Sequence, residues 1–406
     1  MAEKRKDSKG RNLRTGESQR KDGRYAYRWQ ENGKTKTVYS MDLGDLREKE
    51  KQIQKDIEDG INVKSAEKIK LNDMFETWIK SRSDLNQSTQ VRIESEYRVR
   101  IKEKMGEKKI SEIKYSDIFN FYRFLSEERN YSKSSIAQVH SVMYSLFDYA
   151  LKDEIVRKNP CIGVWGDFSR KFLKEKSAKR HSLTPQEQKD FFNYIENSGM
   201  FSKWLNIFIV FFETGARFGE IAGLRWEDCD FDKEIISINH SMNYMRYKEE
   251  DKATYHIVKT KTLLSVRDIP MSSNVKIALL REKEQQEKHK IEQPIIDGYT
   301  NFCFLNRDGR PHVDSNFNKI IKRILSRYNK QEQERAKKEN REPKLIRHFS
   351  AHNMRHTFAS NLVSSDANIK AVQELMGHSN FSTTMDIYSE SNLEIKRAAI
   401  KKIEHE

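Results

Sequence analysis

The side chains best placed for chemistry in this chain are arginines, lysines, histidines and one tyrosine. Arg217 follows a nearly continuous apolar run, Ile207 to Phe212, within Glu213-Thr-Gly-Ala-Arg-Phe-Gly-Glu220. A guanidinium there cannot shed its charge, so it needs an anionic partner. A structural ion pair with Glu220 meets that need as well as a substrate anion does. Farther on, His352-Asn-Met-Arg355-His356 sets His352 and Arg355 side by side on one helix face through i, i+3 spacing. His378, in Gly377-His378-Ser379, comes 23 residues after Arg355, and Tyr388 ten residues after that. Taken one at a time, these read as a helix-surface pair, a loop histidine and a core tyrosine.

Their order changes the reading. Thr-Gly-x-Arg-x-x-Glu, then His-x-x-Arg-His, then Gly-His, then Tyr, running from Thr214 to Tyr388, strongly resemble the motifs of the tyrosine recombinases, or phage-type integrases. The resemblance spans Ser182 to Tyr388. It implies that Arg217 and Arg355 hold the non-bridging oxygens of a phosphodiester, whose charge grows in the pentacoordinate transition state. It implies that His352 and His378 donate hydrogen bonds or accept the phenolic proton, and that Tyr388 is the nucleophile. A phenol of ordinary pKa ~10 attacks poorly at neutral pH unless cations or a base assist it.

In this family a lysine on a β-hairpin protonates the leaving oxygen. The matching stretch, Tyr255-His-Ile-Val-Lys259-Thr-Lys261-Thr, offers two lysines on the same strand face. The family pattern Lys-Thr-x-x-Ser-x-Arg-x-Ile-Pro fits Lys261 to Pro270 without a gap, which selects Lys261 as the acid and leaves Lys259 as a DNA contact. Glu220 matches a recurrent acid and is expected to buttress Arg217 or the backbone. His356 points about 100° away from Arg355 and is read as structural; Arg347 and His348 are read as backbone-binding or surface groups. No metal or other cofactor is expected. Two-metal nucleases gather several carboxylates, no Walker-type glycine loop is present, and a phosphotyrosine conserves the bond energy. Two rival readings stay open: a type IB topoisomerase-like enzyme and a catalytically silent DNA-binding regulator.

The elements that must carry these residues form a multidomain, mainly α chain with small β-sheets. Residues 1–64 read as an arm-type DNA-binding domain, because Arg24-Tyr-Ala-Tyr-Arg-Trp29 alternates aromatic and basic residues as a strand does. Asn32-Gly33 marks a hairpin turn and Thr35 to Ser40 the return strand, followed by a helix from Leu43 to Asp59. Arg24, Arg28, Lys34 and Lys36 are its expected DNA contacts. Glu3-Lys-Arg-Lys-Asp7 and Thr15 to Tyr25 further resemble integrases of bacterial conjugative transposons, whose arm domain is a three-stranded sheet with one helix.

Residues 66–165 read as a helical core-binding (SAM-like) domain. Leu71, Met74, Phe75 and Trp78, then Ile118, Phe121, Tyr122 and Leu125, then Ile136, Val139, Met143 and Leu146 or Phe147, fall at helical spacing. A basic linker, 166–181, leads to an α+β catalytic domain, 182–390, announced by the helix start Thr184-Pro185-Gln186-Glu187. Residues 391–406 form a tail whose Leu393, Ile395 and Ile400 suit docking on a neighbouring protomer.

Composition agrees with such a protein. The 406 residues carry a net charge of +15, which favours nucleic acid or an anionic membrane as partner. Cys161, Cys229 and Cys303 form no Cys-x-x-Cys pair and are expected to be buried. With no long apolar run and no signal peptide, a cytoplasmic protein without a membrane partner is expected. The resemblance adds double-stranded DNA bound at arm and core sites, a homo-tetramer exchanging strands through a Holliday junction to integrate or excise a mobile element, and an excisionase-like bending protein as partner.

Overall fold

Alternation and helical periodicity are both realised in the computed structural model, which describes residues 5–31, 34–58, 68–172, 181–247, 250–259, 266–365 and 367–377. The chain divides into two compact units, Met1–Ser177 and Ala178–Glu406.

The first unit opens with an antiparallel sheet of β1 (Glu17–Gln19), β2 (Tyr25–Glu31) and β3 (Lys34–Ser40), followed by α1 (Leu43–Glu58). Tyr25 and Tyr27 pack with Leu43, Leu46 and Ile53 of α1, so the aromatic face is the buried one. Arg24 and Arg28 are exposed. Strand register refines the basic set: Arg28 lies opposite Thr37, whereas Trp29 lies opposite Lys36 and Glu31 opposite Lys34. Because side chains alternate and cross-strand partners share a face, Lys36 projects to the helix-bearing side, away from Arg24 and Arg28; the Lys34 side chain lies outside the described ones. Lys36 therefore shares no patch with Arg24 and Arg28. The Asn32-Gly33 turn lies outside the described residues.

Two carboxylates meet under this sheet. Glu17, fully buried, accepts from Arg47 Nε at 2.9 Å and from the Arg14 amide at 2.7 Å. Glu50 is equally hidden, and its Oε2 has no hydrogen-bond partner. Burial and then the Glu17 charge push the Glu50 pKa up. A raised folded-state pKa means that the stability tied to protonated Glu50 is present at low pH and is lost as pH rises through that raised value. Glu50→Gln is therefore expected to stabilise this unit at pH 8 by about 1 kcal/mol, the scale of one buried polar atom without a hydrogen bond, and to flatten the fall of its stability above the ordinary carboxylate pKa, read from pH 5 to pH 8. Thermal melts of both proteins across that range check this; a lower midpoint for the variant at pH 8 would contradict it.

The rest of the unit is helical: α2 (Leu71–Ser81), α3 (Gln87–Glu96), a π-helical turn (Tyr97–Ile101), α4 (Lys102–Met105), α5 (Tyr115–Glu127), α6 (Lys133–Lys152) and α7 (Val164–Phe172). Every apolar residue named above for residues 66–165 is buried in one cluster. That cluster continues past residue 165. Phe168 of α7 is fully buried, with ring contacts to Phe119 and Tyr122 at 5.8 Å. Val164, Phe168 and Phe172 recur every four residues, a stripe that the flanking Arg170 and Lys171 disguise as linker. The expected boundary near residue 65, and residues 173–180, lie outside the described residues.

The second unit starts as its capping box predicts. Thr184 accepts from the Glu187 amide and Glu187 from the Thr184 amide, with Pro185 leading α8 (Pro185–Glu196). Next come α9 (Leu205–Thr214), α10 (Phe218–Ala222), a small sheet of β4 (Cys229–Asp230), β5 (Ile235–Ile238) and β8 (Arg267–Pro270), and a hairpin of β6 (His240–Met245) and β7 (Thr254–Lys259). Helices α11 (Ser273–Lys288), α12 (Asp314–Lys338), α13 (Ala351–Ser364) and α14 (Ile369–Met376) complete it. The apolar run of α9 is buried all round because it sits in the middle: Phe208 and Phe211 lie 5.2 Å from Phe317 of α12, and Phe191 of α8 lies 5.0 Å from both Phe208 and Phe349. All three cysteines are buried.

Candidate active site

Three arginines distant in sequence converge on one buried carboxylate. Arg217 is the N-cap of α10. Its amide donates to Glu220 Oε2 at 2.8 Å and its Nη1 to Glu220 Oε1 at 2.8 Å. Glu220, 3% exposed, also accepts from Arg267 of β8, at 2.7 Å from Nη2 and 3.2 Å from Nη1. Arg355, itself 3% exposed, lies beside them on α13. Glu220 thus buttresses Arg217 as its place in the motif suggested, and it binds a second cation that was not foreseen.

The remaining donors of these guanidiniums are aimed at helix ends. Arg355 Nη1 donates to Gly215 O at 2.7 Å and Nη2 to Met376 O, while Arg217 Nη2 reaches Gly377 O at 3.0 Å and Arg267 Nε reaches Leu375 O at 2.7 Å. Gly215 and Gly377 end α9 and α14 in left-handed conformations, φ +60° and +57°, which favour glycine. A Cβ at Gly215 would also sit 2.2 Å from the Phe358 ring. These two turns present unpaired terminal carbonyls to the arginines.

Electrostatics leave the cluster hungry for an anion. Burial opposes ionisation of Glu220, yet the Arg267 guanidinium and then Arg217 hold its pKa down at about 2. Burial, then Arg217 and Arg267, press Arg355 down to about 9, against the pull of Glu220. It remains cationic at neutral pH, so three positive groups face one negative group. Arg217 is the exposed member, its side chain 43% accessible. A phosphodiester reaching Arg217 and Arg355 would relieve this imbalance.

His352 is exposed in the first turn of the same helix as Arg355, where the positive pole of a helix also favours an anion. Its ring meets that of His356, one turn on, at 5.1 Å. Arg347 is exposed, as expected of a surface group, and donates to both oxygens of Glu187, at 2.8 and 2.7 Å. The hairpin that ends at Lys259 packs on α10: a Cβ on Gly219 would lie 2.6 Å from Met242 O, so only glycine permits this approach. Lys259 is exposed opposite His240, which shares its face and bonds to Gly223 O at 2.6 Å. Lys261, His378 and Tyr388 lie outside the described residues, although Gly377, one position before His378, is part of the cluster.

Arg267 is the functional residue that motif reading passed over. Its signal lies in the strand Arg267-Asp-Ile-Pro270, whose alternation puts Arg267 inward with Ile269, and an inward arginine must have a partner. No group of three or more histidine, cysteine or acidic side chains suited to a metal exists among the described residues. No helix among them is long and apolar enough to cross a membrane.

Comparison with known proteins agrees with this constellation. Residues 181–394 match the phage integrase family, and residues 1–57 match the DNA-binding domain of Tn916 integrase. The chain is 30% identical over its whole length to the transposase from transposon Tn916 of Enterococcus faecalis, covering 98% of that protein. The transposase from transposon Tn1545 of Streptococcus pneumoniae is 30% identical over the same shares. Among solved structures, the Tn1549 transposon integrase in complex with a circular intermediate DNA aligns with a TM-score of 0.70 at 27% identity, over 82% of this chain and 99% of that one. The chain therefore belongs to the phage integrase family and is a tyrosine-type site-specific recombinase of the conjugative-transposon integrase kind.

Proposed function

We propose that Tyr388 is the nucleophile and that the arginine cluster is the cradle of the scissile phosphodiester. The observation that carries this reading is the excess positive charge held around Glu220, with Arg217 exposed above a buried Arg355. The Tyr388 phenolic oxygen attacks phosphorus and a 3′-phosphotyrosine forms. The bond to the 5′-oxygen breaks, and that oxygen takes a proton from Lys261. His352 and His378 hold the non-bridging oxygens or receive the phenolic proton. Attack of a 5′-hydroxyl from a second duplex then reverses the chemistry, so strands are exchanged without ATP.

In this reading residues 1–64 bind arm sites, through Arg24 and Arg28 on the sheet face opposite α1. Residues 66–165 and 182–390 clamp the core site, with Lys259 as a backbone contact. Four protomers act together on double-stranded DNA in the cytoplasm to integrate and excise a mobile element, and an excisionase-like bending protein assists. The Tn1549 integrase complexes with circular intermediate DNA and with transposon right end DNA support double-stranded DNA as substrate.

Trapping the enzyme on a nicked suicide substrate tests the core of this. Peptide mapping is expected to find the nucleotide on Tyr388; linkage to any other residue overturns the assignment. In the same assay Lys261→Ala is expected to slow cleavage about 10²-fold, the lower range for loss of a general acid, and Lys259→Ala far less. A substrate with a 5′-thiolate leaving group, which needs no proton, should restore the Lys261→Ala rate. The reverse ranking would transfer the acid to Lys259.

A further inference from the structure

Helix α13 is gripped on two sides, and only one grip belongs to the phosphate cradle. On the other side, Asn353 Nδ2 donates to His181 O at 2.9 Å, and the Leu183 amide donates to Thr357 Oγ1 at 3.0 Å. Thr357 is fully buried and Leu183 nearly so. Just before the helix, Arg347 Nη2 holds Ser182 O at 3.0 Å while its other donors hold Glu187. Three successive residues, His181 to Leu183, are thereby tied by their backbone to the segment that carries His352 and Arg355. They begin the second unit's described chain, directly after the basic connector.

The geometry of a helix gives this attachment a function. At about 100° per residue, Asn353 and Thr357 lie within about 40° of each other, and Arg355 lies about 200° from Asn353, on the opposite side. A helix held at opposite sides is fixed in rotation about its axis. Loss of the Asn353 and Thr357 bonds loosens that side of α13, whose Ala351 and Met354 stay packed in the core, and a small roll carries the Arg355 guanidinium and the neighbouring His352 ring off their targets. Displacement of about 1 Å is enough to cost on the order of 10² in rate.

We infer that Asn353 and Thr357 are positioning residues for strand cleavage, acting by clamping the backbone of His181–Leu183 against α13. The inference rests on the proposed roles of His352 and Arg355 and adds the element that aligns them. It also makes His181–Leu183, where the described part of the second unit begins, part of the catalytic apparatus.

The test uses the full-length enzyme and saturating suicide substrate. Thr357→Val keeps shape but removes the hydroxyl that accepts from Leu183 and donates to Asn353 O; Asn353→Ala removes the donor to His181 and, with it, the oxygen that accepts from the Ser350 amide. Each is expected to lower the single-turnover cleavage rate 10- to 100-fold, by the estimate above, with DNA affinity unchanged, and Thr357→Ser is expected to restore it. Thermal melts report the folded fraction, to which rates are normalised. Wild-type normalised rates, a loss confined to DNA affinity, or failure of Thr357→Ser to rescue would each overturn the inference. Arg355→Lys in the same assay separates the two readings: if it cleaves normally the cradle assignment fails, whereas slow Arg355→Lys beside normal Thr357→Val and Asn353→Ala sinks only the clamp.

Discussion

Arg355→Lys is expected to bind DNA with nearly unchanged affinity and to form the covalent adduct about 10³-fold more slowly, the upper range for loss of one preorganised donor to a developing oxyanion. Arg355 spans two carbonyls, Gly215 O and Met376 O, with its two terminal nitrogens. Its planar fork leaves further N–H groups in fixed directions for a phosphate oxygen. An ammonium keeps the charge but concentrates three donors on one atom, so it cannot bridge both carbonyls and still face the substrate. Charge alone sustains attraction to DNA, which is why binding and chemistry should part company. Gel-shift titration beside single-turnover adduct formation measures both. A variant that cleaves at the wild-type rate would remove Arg355 from the phosphate site.

Glu220→Ala should act on the fold before it acts on the reaction. This carboxylate accepts from Arg217 and Arg267 and is 3% exposed. Removing one partner of a buried ion pair strands the other, at a cost of about 3–5 kcal/mol. The acid side of the stability profile carries the same information. The folded-state pKa of Glu220, about 2, lies below its ordinary 4.5, so its contribution is fully present above pH 4.5 and is lost as pH falls through about 2. A shift of that size corresponds to about 3 kcal/mol, in line with the first figure. Urea titrations from pH 7 to pH 2 should show the variant weaker at neutral pH and less sensitive to acid. Equal stability at pH 7 would mean that Arg267 and Arg217 find other partners.

The parts of this protein that were legible in its sequence are those where chemistry or period leaves little choice. An arginine after an apolar helix and a His-x-x-Arg helix declare themselves, because such side chains need a reason to be there. The Tyr25-Ala-Tyr-Arg-Trp29 alternation separates aromatic from basic residues as the strand does, and the apolar stripes of α2, α5 and α6 all lie in the core. What escaped depends on pairing between strands or on charge masking. Composition names Lys36 and Arg28 alike as basic residues, and only register separates them, with Lys36 opposite Trp29. Helix α7 passed for linker because Arg170 and Lys171 surround Phe168. Arg267 escapes notice because a lone basic residue in a short strand normally means a solvated face. Only the fold brings it to Glu220, 47 positions away.

The carbonyls of Gly215, Leu375, Met376 and Gly377 give the site an inverted polarity. Proteins often seat phosphate at helix N-termini, where backbone N–H groups point outward, but α9 and α14 turn their negative ends inward here. The backbone scaffold by itself would gather cations. Three guanidiniums cover those carbonyls and convert a cation trap into an anion seat, so at these two turns the attraction for phosphate resides in side chains and not in the main chain. Backbone preorganisation therefore cannot substitute for the arginines one by one, and a chain stripped of all three would be expected to repel the DNA backbone at the place where it must be cut.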